Sequence, residues 1–198
     1  MEAEKTRLYL ARHGEVVNHG VYNGQTDVDI TPLGVKQMER LRELLKEKEL
    51  RAVYCSDLIR TRKGADIIAQ PHGLAPQAFP EFREFDFGRW QGLTYSQVQE
   101  KYPADIPNWL NNLETFRIPE GESLPDMHRR AIPLLHGLLE KHRGEEMAVV
   151  CHGALNRLIL ADALNLPLVH LLRIEQGYGC LNIVEYSSSW TVVKLMNG

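Results

Sequence analysis

Leu8-Tyr9-Leu10-Ala11-Arg12-His13-Gly14-Glu15 is the stretch that decides the fold of this chain. A short apolar run that stops at Arg-His-Gly is typical of a buried strand that delivers an arginine and a histidine to its carboxyl end. Open α/β sheets bind their ligands at that edge. A second such run, 147–151, leads directly into His152-Gly153. Two strand ends of this kind predict that two imidazoles meet in one pocket.

Length and composition favour one folded domain spanning residues 1–198. With 198 residues, 43% of them hydrophobic, the chain can bury a sizeable core. A net charge of −3 gives no sign of a nucleic-acid partner, and no apolar run approaches the roughly 18 residues of a membrane span. We therefore expect a cytoplasmic protein without nucleic-acid or membrane partners. The sequence leaves the oligomeric state open between a monomer and a homodimer.

The three cysteines predict neither a disulfide framework nor a zinc site, because they are few and scattered. Cys55, Cys151 and Cys180 each sit in apolar surroundings, which is typical of small buried side chains. No other cluster has the spacing of metal ligands, so no metal site is expected.

Strand and helix patterns alternate at both ends of the chain. Strands are predicted over 7–11, 52–55, 77–79, 147–151, 180–186 and 190–196. Helices are predicted over 32–48, 57–70, 124–142 and 154–164, with Thr31, Ser56 and Ser123 as the first three N-caps. Pro133 predicts a kink or a break in the third helix. This pattern favours an α/β fold: a three-layer α/β/α arrangement with a mostly parallel central sheet.

The segment 82–119 differs from its surroundings, being rich in aromatic residues, Gly and Pro. Thr94 with Gln97 gives a capping-box pattern, which predicts one short helix inside the segment. We interpret this segment as a small helical cap inserted into the domain.

The side chains at the two strand ends suit phosphoryl transfer, in which catalysis is largely positioning and electrostatic stabilisation. Neutral imidazole attacks well near pH 7, so His13 is the predicted nucleophile. Arg12 could hold phosphate oxygens with its guanidinium fork. Gly14 would let the backbone approach the ligand.

Further anion-binding groups are expected near two helix N-termini. Arg60 lies about one turn after Ser56. His152 could donate a hydrogen bond to the transferring group, and the amides of Gly153 and Ala154 could complete the same anion hole.

The reaction also needs a proton for the leaving oxygen, and Glu84 is the candidate. It stands in an aromatic stretch, Phe82–Gly92, whose rings would remove water from a carboxyl group and favour its protonated form. After the leaving group departs, the same carboxylate could activate water.

With these residues in place, the chain resembles the histidine phosphatase superfamily in its phosphoglycerate-mutase-like branch. Six segments follow the order of the family's motifs; they are Leu10–Glu15, Gly24–Gly34, Tyr54–Thr61, Arg83–Gly92, Gly121–Ser123 and Cys151–Gly153. A single Arg-His-Gly sequence would be weak evidence for this family, whereas six motifs in the family's order are specific evidence for it.

The resemblance implies a role for each matched residue and no metal or other cofactor. The first histidine of the family is phosphorylated, two arginines and the second histidine hold phosphate, and the glutamate moves the proton. These roles fall on His13, on Arg12 and Arg60, on His152, and on Glu84. The family often has Asn six residues after the nucleophile; here that position is His19, so Asn18 is the expected phosphate contact and His19 its rival.

The leading functional hypothesis is a metal-independent phosphomonoesterase for small phosphate esters. Small members of this style resemble the α-ribazole-5′-phosphate phosphatases of cobalamin biosynthesis and, equally, broad-specificity phosphatases. A cofactor-dependent phosphoglycerate mutase and a non-catalytic phosphate-binding protein on the same fold are the alternatives. A metal-dependent hydrolase is disfavoured because no metal-ligand spacing occurs.

Overall fold

The computed structural model describes residues 4–198, and a six-stranded sheet organises them. Its strands are β1 (Thr6–Arg12), β2 (Leu50–Cys55), β3 (Gln77–Ala78), β4 (Glu146–Cys151), β5 (Leu181–Tyr186) and β6 (Thr191–Leu195). Their spatial order is β3-β2-β4-β1-β5-β6. The first four strands run parallel, and β5 is antiparallel to both of its neighbours. The prediction of a mostly parallel sheet is therefore confirmed.

Side chains of the central strands alternate between two apolar faces, as the two-residue period of a strand requires. Along β1, Leu8 and Leu10 join one core cluster, whereas Tyr9 and Ala11 join the other. Both faces are apolar because helices cover both, which makes the strand sequences nearly continuous hydrophobic runs.

Six α-helices form the outer layers. They are α1 (Pro32–Leu45), α2 (Ile59–Ala69), α3 (Tyr95–Lys101), α4 (Asp105–Asn111), α5 (Leu124–Lys141) and α6 (Gly153–Ala163). Buried side chains of α1 and α2 pack on one face of the sheet, and those of α5 and α6 pack on the other. The predicted three-layer α/β/α fold is confirmed. None of the helices described within residues 4–198 combines the length and apolarity needed to cross a membrane.

Most of the predicted helix starts are confirmed. The Thr31 side chain accepts a 3.0 Å hydrogen bond from the Gly34 amide. Capping boxes open α3 and α5, at Thr94 and at Ser123.

The cap predicted at Ser56 is wrong, because α2 begins only at Ile59 with Leu58 in the N-cap position. The Ser56 side chain is fully buried and contacts His152. The Ser56 hydroxyl also accepts a 3.3 Å hydrogen bond from the Leu58 amide, so it contacts the turn before the helix and the buried imidazole without being the N-cap residue.

The break allowed for at Pro133 does not occur, since α5 is continuous from Leu124 to Lys141. One face of α5 is fully buried on both sides of the proline, at Met127 and Ala131 before it and at Leu135 after it. Packing of that apolar face stabilises the helix more than one missing amide weakens it.

The inserted segment packs on the same side of the sheet as α5 and α6. Phe82, Phe85 and Trp90 are buried in the core that these helices share. Asp105, at the start of the unpredicted helix α4, accepts 2.8 Å from the Trp90 indole and pairs with Arg89. The insertion therefore has its own buried anchor, while its boundaries at 82–119 stay a prediction.

Two glycines set the distance between the end of β1 and the start of α1. A Cβ atom on Gly14 would overlap the Gly34 backbone, and one on Gly34 would overlap the backbone of Glu15. The loop that carries His13 is therefore in direct backbone contact with α1.

Replacing Gly34 by Ala is expected to destabilise the protein by at least about 1–3 kcal/mol, because the neighbour is backbone that cannot rotate away. Gly137→Ala is the matched control, since a Cβ there meets open space inside an α-helix and adds up to about 1 kcal/mol of stability. Urea unfolding of both variants measures the difference. Unchanged stability in Gly34→Ala would show that the contact is not tight.

Candidate active site

A small cavity opens at the carboxyl ends of β1 and β4. Its volume is about 190 Å³, which is below the usual range of about 300–1,000 Å³ for drug-sized ligands. The lining residues are Arg12, His13, Val16, Val21, Tyr22, Asn23, Gly24, Arg60, Glu84, Phe87, Gly153, Ala154, Arg157 and Tyr178. The location agrees with the edge at which open α/β sheets bind ligands.

His13 lies at this cavity with only 4% of its surface exposed. Its Nδ1 atom is 2.8 Å from the carbonyl oxygen of Gly14. A carbonyl can only accept a hydrogen bond, so Nδ1 carries the ring proton and Nε2 keeps the free electron pair. Burial, helped by Arg12 and Arg60, lowers the pKa of His13 well below 6.5. The ring is thus held in the neutral form that a nucleophile needs.

Arg12 is fixed from two sides. Its Nη1 donates 2.6 Å to the carbonyl oxygen of Gln176, and its guanidinium lies 3.9 Å over the ring of Tyr178. Its Nε is buried and has no partner among the described residues. The contacts with Gln176 and Tyr178 therefore hold the guanidinium in one position at the cavity.

Arg60 is nearly fully buried, with 1% exposure. Its terminal amino groups donate to the carbonyl oxygens of Gly24 and Thr26, at 2.6 and 2.7 Å. Its Nε donates at 3.2 Å to Nδ1 of His152. Desolvation lowers the pKa of this arginine, yet guanidinium stays charged in proteins. These contacts fix a buried positive charge at the cavity.

His152 lies directly behind the cavity, and its ring centroid is 5.2 Å from that of His13. Because Nδ1 accepts from Arg60, the proton sits on Nε2, which is 2.8 Å from the Ser56 hydroxyl. Ser56 in turn contacts the Thr61 hydroxyl at 2.7 Å. Both ring nitrogens are occupied, so here His152 orients Arg60 instead of directing an N–H at a ligand. Burial lowers its pKa well below 6.5, and Arg60 adds to the effect.

Glu84 reaches the cavity from the inserted segment and contacts the N-terminus of α6. Its carboxylate accepts hydrogen bonds from the amides of Phe85, Ala154 and Leu155, at distances of 2.9–3.3 Å. The Ala154 amide, expected to face the transferring group, therefore holds Glu84. The helix N-terminus positions the proposed acid.

The backbone around Glu84 is held by α5. Arg130 donates to the carbonyl oxygens of Glu81, Arg83 and Glu84, at 2.5–3.0 Å. The Arg130 guanidinium also pairs with Glu122 at 2.6 Å, and Glu122 accepts from the Asp86 amide. Glu122, part of the Gly121–Ser123 motif, thus fixes the segment that carries the acid.

The structure brings six predicted site residues to the cavity: Arg12, His13, Arg60, Glu84, Gly153 and Ala154. Gly14 does not line it; the missing Cβ of Gly14 makes room for Gly34. Asn18 and His19 are exposed and do not line it either.

Asn23 lines the cavity instead of Asn18. Asn23 directly precedes Gly24, whose carbonyl oxygen accepts a hydrogen bond from Arg60. The adjacent motif that begins at Gly24 is the sequence feature that could have pointed to Asn23. Tyr178 and Arg157 were also missed. Tyr178 stands between Gly177 and Gly179. An aromatic residue flanked by glycines in a loop is the sequence feature that could have marked Tyr178 as a site residue.

Charges at the cavity are unbalanced. Its wall holds three arginines and one carboxylate, that of Glu84. Within residues 4–198, none of these arginines forms an ion pair with a carboxylate. Such a concentration of buried positive charge is suited to an anionic ligand.

Comparison with known proteins gives a consistent family. The model described as "Histidine phosphatase superfamily (branch 1)" matches residues 8–198. A protein named "Probable phosphoglycerate mutase GpmB" from Yersinia pestis (strain Pestoides F) is 29% identical over 185 residues, covering 92% of this chain and 86% of the relative.

Two solved structures have closely similar folds. The α-ribazole phosphatase of Shigella flexneri has a TM-score of 0.88 at 23% identity, over 97% of this chain and 96% of that chain. The mycobacterial glucosyl-3-phosphoglycerate phosphatase has a TM-score of 0.87 at 25% identity, over 97% and 98% of the two chains.

Acidification is expected to destabilise the protein through His13 and His152, whose pKa values lie well below 6.5 in the fold. Below pH 6.5 the unfolded chain binds a proton on each ring and the folded chain does not, so stability present above that pH is lost. Each ring accounts for about 1.4 kcal/mol at about pH 5.5. Urea unfolding near pH 7.5 and 5.5 should show a smaller loss in His13→Gln; an identical loss would contradict the assignment.

Proposed function

The chain belongs to the histidine phosphatase superfamily (branch 1), and we propose that it hydrolyses small phosphate monoesters through a covalent phosphohistidine on His13. The observation that carries the proposal is the state of His13. Its neutral ring has a free Nε2 and stands beside two arginines that lack carboxylate partners. Arg12 and Arg60 are placed to hold the phosphate oxygens on which negative charge builds up.

In the first step, Nε2 of His13 attacks phosphorus and the bond between phosphorus and the ester oxygen breaks. The leaving oxygen takes a proton from the Glu84 carboxyl group, whose Oε2 has one amide contact at 3.2 Å. Arg12 and Arg60 neutralise the transferring group, and His152 keeps Arg60 in place.

In the second step, water attacks the phosphohistidine and the phosphorus–nitrogen bond breaks. Glu84, now a carboxylate, takes a proton from that water, and phosphate leaves with the oxygen. Amides at the start of α6 stabilise Glu84 in this anionic form.

The small cavity supports a compact substrate. Its volume of about 190 Å³ suits a phosphate group and a few further atoms. The α-ribazole phosphatase likeness lies at 23% identity and supports the fold alone, so α-ribazole 5′-phosphate enters as one ester to be tested.

A mutase is the second candidate, favoured by the relative named as a probable phosphoglycerate mutase. A mutase returns the phosphoryl group from histidine to an organic hydroxyl and must exclude water. Phosphate release and isomerisation of 3-phosphoglycerate, measured side by side, distinguish the two activities.

His13→Ala is expected to lower phosphate release on the order of 10⁴-fold or more, because the attacking atom is gone. The assay uses p-nitrophenyl phosphate, α-ribazole 5′-phosphate and sugar phosphates with excess EDTA. EDTA is expected to leave wild-type turnover unchanged, since arginines supply the positive charge.

The control for that variant is His128→Ala, which removes a half-exposed histidine of α5. Rapid quenching of the wild type should also trap an acid-labile phosphoryl group that His13→Ala lacks. Full turnover in a folded His13→Ala protein would overturn the assignment of the nucleophile.

Glu84→Gln should slow alkyl phosphates by about 10²–10⁴-fold and p-nitrophenyl phosphate much less, because only the alkoxide leaving group needs an early proton. Glu81→Gln, which changes an exposed glutamate three residues before Glu84, is the matched control. Equal losses on both ester types would argue against Glu84 as the acid.

A further inference from the structure

Arg157, the third arginine of the cavity wall, has no part in the mechanism above. It lies on α6, four residues after Gly153, and is partly buried. Its Nε donates a 2.6 Å hydrogen bond to the carbonyl oxygen of Ile174, which fixes the side chain. Within residues 4–198 its terminal amino groups make no hydrogen bond, so they are available to a ligand in the cavity.

Arg157 and Arg12 approach each other across Gly153. Nη1 of Arg157 and Cζ of Arg12 lie 3.4 and 3.3 Å from the position that a Cβ atom on Gly153 would take. Like charges at this spacing repel, and burial together with Arg12 lowers the pKa of Arg157. An anion bound next to both guanidinium groups relieves the repulsion.

Arginines elsewhere near the insertion are neutralised by the protein itself. Three of them each contact a carboxylate at 2.6 Å; the pairs are Arg83–Asp57, Arg89–Asp105 and Arg130–Glu122. In the described chain the three cavity arginines have no such partner. The other arginines without a carboxylate partner, Arg40, Arg51, Arg62 and Arg173, are exposed to solvent. Among the described residues, the arginines that are unpaired and at least partly buried therefore all lie at the cavity.

A single phosphate group does not balance these charges. A phosphate monoester carries a charge of about −1.5 to −2 near pH 7. When Glu84 is protonated to act as the acid, three guanidinium groups face that charge and about one positive charge remains. Arg12 and Arg60 flank His13, so the surplus falls on Arg157.

We propose that Arg157 binds a second acidic group of the substrate, so that the preferred esters carry a carboxylate or another phosphate within a few bonds of the ester oxygen. This inference rests on the proposed phosphatase activity and adds the chemical class of the organic half. The planar fork of Arg157 suits two oxygens of one anionic group.

The test compares 2-phosphoglycolate with 2-hydroxyethyl phosphate. The two esters have the same length, but the first ends in a carboxylate and the second in a hydroxymethyl group. The wild type is expected to have the higher kcat/KM on 2-phosphoglycolate. In Arg157→Gln the ratio of the two kcat/KM values should fall roughly ten- to a hundredfold, mainly through KM. Arg157→Lys should keep part of the preference, because it retains the charge without the fork.

Arg173→Gln is the matched control, an exposed arginine at the end of the 3₁₀ helix Leu168–Arg173 after α6, and its ratio should equal that of the wild type. A wild type that hydrolyses both esters equally well, or a folded Arg157→Gln protein with the wild-type ratio, overturns the inference and leaves the phosphatase proposal standing. If the wild type releases no phosphate from either ester or from p-nitrophenyl phosphate, the proposed function itself fails. Should Arg157→Gln not fold, the wild-type ratio and Arg157→Lys still decide the question.

Discussion

The parallel pairing of β1 with β4 is the constraint on which the site depends. The register places Arg12 opposite Cys151, and the His13 amide donates a 3.0 Å hydrogen bond to the carbonyl oxygen of Cys151. The two histidines that follow these strands are therefore neighbours although the chain separates them widely. Because strand side chains alternate between faces, a slip of one residue would send one imidazole away from the other.

The side chains of the site are held in place by buried hydrogen bonds. Arg60 donates to two carbonyl oxygens and to His152, and His152 donates to Ser56. Each of these donor atoms has its own acceptor, so the Arg60 side chain has little conformational freedom. Anion-binding groups held this way need no rearrangement when negative charge develops on a ligand.

Sequence patterns could predict the parts of this protein that depend on neighbouring residues. The strand ending at His13, the cap at Thr31 and the box at Thr94 follow from short windows and are present. The contacts that escaped prediction join distant segments. The Ser56 side chain contacts His152, which follows strand β4, and Asn23 reaches the cavity through the path of its loop. Such contacts depend on how distant segments pack together, and a short stretch of sequence holds no information about that packing.

Glu84 is held from two sides, its backbone by Arg130 of α5 and its carboxylate by amides of α6. The position of the proposed acid therefore follows the spacing of these two helices. Leu135 and Leu158, one from each helix, are fully buried in the core that joins them. Changing the volume of such a side chain would shift the Glu84 carboxylate relative to His13. Residues with no access to the cavity would thereby set the geometry of the proposed proton transfer, and the hydrophobic core would contribute to the proposed activity.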